Sequence, residues 1–159
     1  MANWCTNFVT FQGNETQLKK IDELFNSLIL QEKETNHGQL PDGIKGTTYF
    51  FYTYKNDLGI YSFETKWAPP IEELTQIADQ YGLDFECSSE EMGSLIYGTV
   101  FYTNKTLLEV YLENEELDAY DYDEDKDVYT FEGKEYESSH IILEELLDRK
   151  KAKYSSSLT

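Results

Sequence analysis

The sequence predicts a single α+β domain, and three observations carry that reading. Its 159 residues are the size of one domain with its own core. Aromatics make up 15%, too rich a share for a disordered polymer despite 28% charged residues. Short β-rich runs alternate with two stretches of helical periodicity, each bounded by turn formers.

From Trp4 to Phe11 the chain reads as a strand with apolar groups on both faces, as expected of a central strand. Gly13 breaks it, and Asn14 with Gln17 three residues on forms a capping-box signature. Leu18, Ile21, Leu24, Phe25 and Leu28 follow at helical spacing. Residues 33 to 46 lack periodicity and hold Asn36, Gly38, Pro41, Gly43 and Gly46, so a long surface loop is expected. Thr47 to Tyr54 and Ile60 to Phe63 read as a hairpin turning through residues 55 to 59. Pro69 and Pro70 suit the first turn of a second helix with Ile71, Leu74, Ile77, Ala78 and Tyr81 inward and Gly82 at its end. Leu83, Phe85 and Cys87 then alternate as a fourth strand.

The order strand, helix, strand, strand, helix, strand is the split βαβ arrangement of ferredoxin-like folds: an antiparallel sheet with two helices on one face. That topology sets the first strand beside the fourth, so Cys5 and Cys87 should approach each other on the helix-covered face, buried and reduced. Residues 1 to 90 form this unit. Residues 91 to 159 extend the same domain with a hairpin turning at Asn104 and Lys105, a short strand Val128 to Phe131, and a final helix opened by Ser138 or Ser139.

Thirteen Lys+Arg stand against 31 Asp+Glu, a net charge of -18. That charge repels phosphate backbones and anionic membrane surfaces, so neither direct nucleic-acid binding nor membrane binding is expected. A protein with a basic surface, of the kind that holds nucleic acid, is the partner class it favours; the plain alternative is solubility. Nothing near Met1 reads as a signal peptide and no stretch reaches the length of a membrane span, which predicts a cytoplasmic protein.

Two stretches carry a resemblance: Asn3, Trp4, Cys5, Thr6, Asn7, and Phe63, Glu64, Thr65, Lys66, Trp67, Ala68, Pro69, Pro70, Ile71. Together they resemble the YubB ferredoxin-like domain family of phages, plasmids and other mobile elements. The resemblance implies a ferredoxin-like fold without an iron-sulfur cluster and no defined activity. The chain departs from that pattern in Ala2, where proline is usual, and in lacking a Trp-Gly-x-Lys-Trp stretch before the central hairpin. Within the matching stretches, Asn3, Asn7, Lys66 and Trp67 form a candidate ligand patch; the structural alternative makes Trp4 and Trp67 packing anchors with Lys66 along an aromatic face.

The densest acidity lies in residues 113 to 127: Glu113, Glu115, Glu116, Asp118, Asp121, Asp123, Glu124, Asp125 and Asp127, interleaved with Tyr120 and Tyr122. Spaced carboxylates beside flat rings can imitate phosphates and bases in a basic groove, so these eleven residues are the candidate partner-binding set. A solvated acidic loop is the alternative. Asp121, Asp123, Asp125, Asp127 and Glu132 also match the spacing of a calcium loop, but Lys126 occupies the glycine position and strand-like residues follow. No metal or cofactor is therefore expected. His37 and His140 stand without ligand-spaced neighbours, and no P-loop, dinucleotide fingerprint or nucleophile elbow is present.

The tyrosines and phenylalanines at 49 to 52 and 54 suggest the base-stacking face of RNA-recognition modules, but lack the basic residues that hold phosphates. Sheet packing, or reception of a protein partner if they are contiguous outside, accounts for them better. The sequence thus predicts a non-enzymatic interaction protein. Two alternatives stay open: a small-ligand or enzymatic module around the Asn3, Asn7, Lys66, Trp67 region and loop 36 to 46, and a structural or oligomer-forming domain.

Overall fold

A computed structural model describes residues 2–157. β1 (Trp4–Gln12) is followed by α1 (Glu15–Thr35), and the expected capping box opens it. Asn14 Oδ1 accepts from the Gln17 N–H at 2.9 Å, and Gln17 Oε1 accepts from the Asn14 N–H at 2.8 Å. The helix runs two residues past the expected loop start at 33 and ends at Asn36 in the left-handed region. β2 (Phe51–Lys55), β3 (Tyr61–Lys66), α2 (Ile71–Tyr81) and β4 (Asp84–Glu91) complete the unit. β5 (Ile96–Thr103) and β6 (Thr106–Tyr111) add the hairpin expected at Asn104 and Lys105.

The main sheet has the order β2-β3-β1-β4-β5-β6, with every neighbouring pair antiparallel. Its first four strands follow the ferredoxin-like order, and β1 is central as its two apolar faces predicted. One face packs on α1 and α2 through Val9, Phe11, Phe25, Phe63, Leu74, Ile77 and Phe85. The strand expected from Thr47 begins only at Phe51. Upstream, the Thr48 N–H bonds to Glu73 of α2 at 3.1 Å, and Phe50 forms an isolated bridge with Gln39.

α3 (Asn114–Leu117) leads into a second sheet of β7 (Asp121–Asp123), β8 (Val128–Phe131) and β9 (Lys134–Tyr136), followed by α4 (Ser139–Ser157). α4 lies on the opposite face of the main sheet from α1 and α2. Leu143 and Leu147 pack there with Tyr97 and Val110 of the β5–β6 hairpin and with Leu112 and Leu117. The molecule therefore has three layers over β5 and β6, but only two over β1, β2 and β3.

Both cysteines are buried on the helix-covered face, as expected, but they are not opposite each other. Val9 faces Cys87 in the β1–β4 register, and Asn7 faces Ser89, which places Asn7 and Ser89 between the two thiols. Burial pushes the Cys5 thiol up to about 11 and that of Cys87 up to about 12.

α1 is tied to the β2–β3 hairpin by Asp22, which accepts from Lys55 and from the Tyr61 hydroxyl. Burial alone would raise the Asp22 pKa, but the bonds from Lys55 and Tyr61 outweigh it and hold the carboxyl below its ordinary value. A depressed folded-state pKa contributes stability above the unfolded value and loses it as pH falls through the folded one. The stability gap between the native chain and Asp22→Asn should be full at pH 7 and close below about pH 4. Urea midpoints for both proteins across that range check it, and a pH-independent gap would refute it.

Candidate functional site

Alternation along β1 and β3 sends Asn7, Phe63 and Thr65 toward the helices and Trp4, Phe8, Glu64 and Lys66 to the other face. Among the described residues no helix covers that second face over β1, β2 and β3. Trp4, Phe8 and Tyr54 are 41%, 48% and 60% exposed there, and Tyr52 beside them is also exposed. The Trp4 ring meets Phe51 edge-on with centroids 5.0 Å apart, and Tyr52 at 5.9 Å. Lys66 Nζ lies 5.8 Å from the Trp4 ring centroid and 5.3 Å from that of Phe51. The aromatics expected to serve sheet packing thus divide: Phe50 is core, whereas Phe51, Tyr52 and Tyr54 join an outward patch. An uncovered aromatic face of this kind is a candidate interaction surface.

At the end of that face the chain is strained. Trp67 has φ 71°, an outlier for a bulky side chain, and the Ala68 N–H bonds to the Lys66 carbonyl at 2.9 Å across it. This is a γ-turn of the strained hand. It is held from both sides: the Trp67 N–H donates to the Asn3 carbonyl at 2.9 Å, and Thr65 Oγ1 to the Ala68 carbonyl at 2.7 Å. The result displays Trp67, 53% exposed, next to Asn3 and Lys66. Strain that persists at an exposed aromatic is a feature of functional sites.

The four-residue ligand patch does not hold together as expected. Lys66 and Trp67 are adjacent and the Asn3 carbonyl accepts from the Trp67 N–H, but the Asn3 side chain turns to Glu91, and Asn7 is fully buried beneath the helices. Its side-chain amide donates to the Cys5 carbonyl and Thr65 Oγ1, both at 2.9 Å, and its Oδ1 accepts from Ser89 Oγ at 2.8 Å. Strand register dictates this, because Asn7 pairs with Phe63, and residues 63 and 66 of one strand face opposite sides.

The acidic segment is folded rather than a loop. Glu113 and Glu116 form a capping box around α3, and Lys150 of α4 reaches Glu116 Oε2 at 2.7 Å. Asp121, Tyr122 and Asp123 lie on β7, where Tyr122 packs on Tyr129 of β8 at 4.8 Å. Asp123 Oδ1 accepts from the Asp125 and Lys126 N–H groups at 3.1 and 3.2 Å and shapes the turn, while Asp127 accepts from the Tyr122 hydroxyl at 2.7 Å. Tyr120 packs against the α4 core. Glu115, Asp118, Asp121, Glu124 and Asp125 are left exposed along one acidic ridge of helix turn and hairpin.

The calcium spacing is consumed by this hairpin. Glu132, its twelfth position, sits in a bidentate pair with Arg149 of α4 at 2.8 and 2.9 Å. Among the described residues no group of three His, Cys, Asp or Glu side chains is placed to hold a metal ion.

His140, read as isolated, is instead part of a cluster that only the tertiary fold assembles. Its Nδ1 lies 3.2 Å from the Tyr97 hydroxyl and 3.9 Å from Glu90 Oε2, and its Nε2 is 4.0 Å from Glu144 Oε1. Tyr97 donates to Glu144, and its burial, with that bond, raises its pKa strongly. The cluster fastens the first turns of α4 to β4 and β5. The 43 positions that separate Tyr97 from His140 in the chain hide it from any spacing rule. His37 is exposed after α1, its carbonyl accepting from Gln39 at 2.9 Å.

No helix among the described residues is long and apolar enough to cross a membrane. Searches of curated proteins and of solved structures return no match. A family model described as the ferredoxin-like domain in Api92-like protein matches residues 48–132, from the approach to β2 through the acidic hairpin. With more than half of its length matched, and with the sheet order of that fold, the chain belongs to the family of ferredoxin-like domains in Api92-like proteins.

Proposed function

We propose that the chain is a non-enzymatic interaction protein, acting in the cytoplasm, that binds a basic surface on another protein. The observation that carries this reading is the uncovered aromatic face of β1, β2 and β3, on a molecule with a net charge of -18 and a folded acidic ridge at 113 to 127. Exposed Trp and Tyr supply contact area at low entropic cost, and the carboxylates steer a basic partner toward it. A rigid hairpin presents carboxylates and rings at fixed spacing, which suits imitation of nucleic acid better than a loose loop does. The basic surface would then be one that otherwise holds nucleic acid. The resemblance to YubB domains supports a mobile-element source, with a host or rival protein as target, such as a defence nuclease.

The test is capture from a natural host with the chain as bait, followed by binding of the recovered protein at 50 mM and 500 mM salt. Affinity should fall at least ten-fold between the two salt concentrations and at least ten-fold in the triple variant Asp121→Asn, Asp123→Asn, Asp125→Asn. A partner whose affinity is indifferent to salt and to the triple variant would remove the acidic ridge from the mechanism. Trp4→Ala and Tyr54→Ala, measured on the same partner, ask separately whether the open sheet face is touched.

A further inference from the structure

The two edges of the main sheet, β2 and β6, are built differently. At β2 the ladder is bulged, with Tyr52 at φ 53°, and the Glu32 carboxylate accepts from the N–H groups of Tyr52 and Thr53 at 2.6 and 3.3 Å. Bulging and capping close that edge to further pairing. β6 carries no bulge, no proline and no lysine, and its pairing with β5 is regular from Thr103↔Thr106 to Gly98↔Tyr111.

Asn104 and Lys105, with φ 49° and 62°, make the two-residue turn whose flanking Thr103 and Thr106 exchange hydrogen bonds. The Leu112 N–H bonds to the Tyr97 carbonyl at 2.9 Å, in phase with that pairing. By alternation, the backbone groups of Leu107, Glu109 and Tyr111 point away from the sheet. Among the described residues no loop or side chain bonds to them.

A groove runs along each side of this edge. On the α4 side a cavity of about 440 Å³ is walled by Phe101, Leu108, Val110 and Tyr154. On the α2 side a second one of about 640 Å³ is lined by Glu72 and Glu109, with Glu73 buried beside them and bonded to the Thr48 N–H. A strand added to β6 would send successive side chains alternately into the apolar groove and the acidic one.

We propose that β6 receives an extended segment of the partner by strand addition, and that this segment alternates apolar with basic residues. The inference rests on the basic-partner reading and adds to it a contact separate from the acidic ridge. Charge complementarity selects this occupant. A second copy would set two chains of net charge -18, and two copies of Glu109, against one another.

The test titrates the isotope-labelled full chain with acetyl-Lys-Val-Lys-Val-Lys-amide, read by amide chemical shifts and hydrogen exchange. The control peptide, acetyl-Lys-Pro-Lys-Pro-Lys-amide, keeps the charge and cannot pair as a strand. Shifts should concentrate at residues 107, 109 and 111, with exchange slowed at the same amides. Glu109→Lys should weaken binding at least ten-fold. Glu109→Pro removes the outward N–H and fixes φ there, leaves untouched the ladder bonds to β5, none of which residue 109 makes, and should abolish the slowed exchange at residues 107 and 111.

The wild-type shift map decides even if one variant fails to fold. Shifts confined to residues 121 to 127, or equal shifts with the proline peptide, overturn strand addition while leaving the basic-partner reading in place. Absence of binding overturns it as well. A dimer by sedimentation that Glu109→Pro makes monomeric gives the edge to a second copy and overturns the peptide.

Discussion

Phe25→Ala is expected to lower the stability of the fold by about 3–5 kcal/mol, the range for emptying a buried aromatic site. The Phe25 side chain is fully buried where α1 crosses the sheet. Its ring stacks on Tyr61 with centroids 4.3 Å apart and lies 5.8 Å from Phe11, 6.2 Å from Phe50 and 6.3 Å from Phe63. Four rings from three separate segments therefore lose a common neighbour, and none can fill the space without leaving its own contacts. For a domain of this size the melting temperature should drop by about 10 °C or more. Phe25→Leu keeps much of the volume and should cost less than half as much. Equal loss in the two variants would show that ring stacking, rather than volume, holds α1 to the sheet.

The second large effect is expected at Asn7, whose side chain links three central strands on their buried face. Asn7→Ala removes the donor to the Cys5 carbonyl and to Thr65 Oγ1, and the acceptor for Ser89 Oγ. Thr65 keeps its bond to the Ala68 carbonyl, but the Ser89 hydroxyl and the Cys5 carbonyl lose side-chain partners in a site without water access. Unmet polar groups at about 1–3 kcal/mol each, with a small cavity, give about 2–4 kcal/mol. Urea unfolding of the variant measures it. A loss below 1 kcal/mol would mean that the network is dispensable. Thr65 also pins the strained turn at Trp67, so the same variant should raise the hydrogen-exchange rate of the Ala68 amide.

Asn7 illustrates how much of the candidate site was legible beforehand. The two stretches singled out in the sequence, 3 to 7 and 63 to 71, turn out to be hydrogen-bonded neighbours: Trp4 pairs with Lys66 and Asn7 with Phe63. Their proximity was implied by the predicted topology. That Asn7 faces the helices while Lys66 faces out required the register, because a slip of one residue exchanges the faces of a strand. The strain at Trp67 left no sequence signal, since a positive φ is ordinarily marked by glycine or asparagine and here tertiary bonds impose it. His140 was missed for the corresponding reason: its partners Glu90 and Tyr97 belong to other strands.

The acidic ridge shows the same division. Its composition was plain, and so was the strand Val128 to Phe131. The hairpin that orders it was not, because aspartates are poor strand formers. Cross-strand tyrosine packing and the Arg149–Glu132 pair with α4 supply what local propensity lacks.

The local pattern of the chain specifies the α+β class, the order of the first six elements, the N-cap of α1 at Asn14, the end of α2 at Gly82, the turn at Asn104 and Lys105, and the sign and location of the charge. Those features are local: they follow from periodicity, capping residues and composition within a few neighbours. Long-range packing determines that α4 covers β5 and β6 but leaves the aromatic face of β1, β2 and β3 open, that one sheet edge is capped and the other bare, and that Asn7 is buried away from Lys66. Each of these depends on which distant surfaces meet. Contacts between residues tens of positions apart are fixed by packing and register, and neither is written in any short window of the chain.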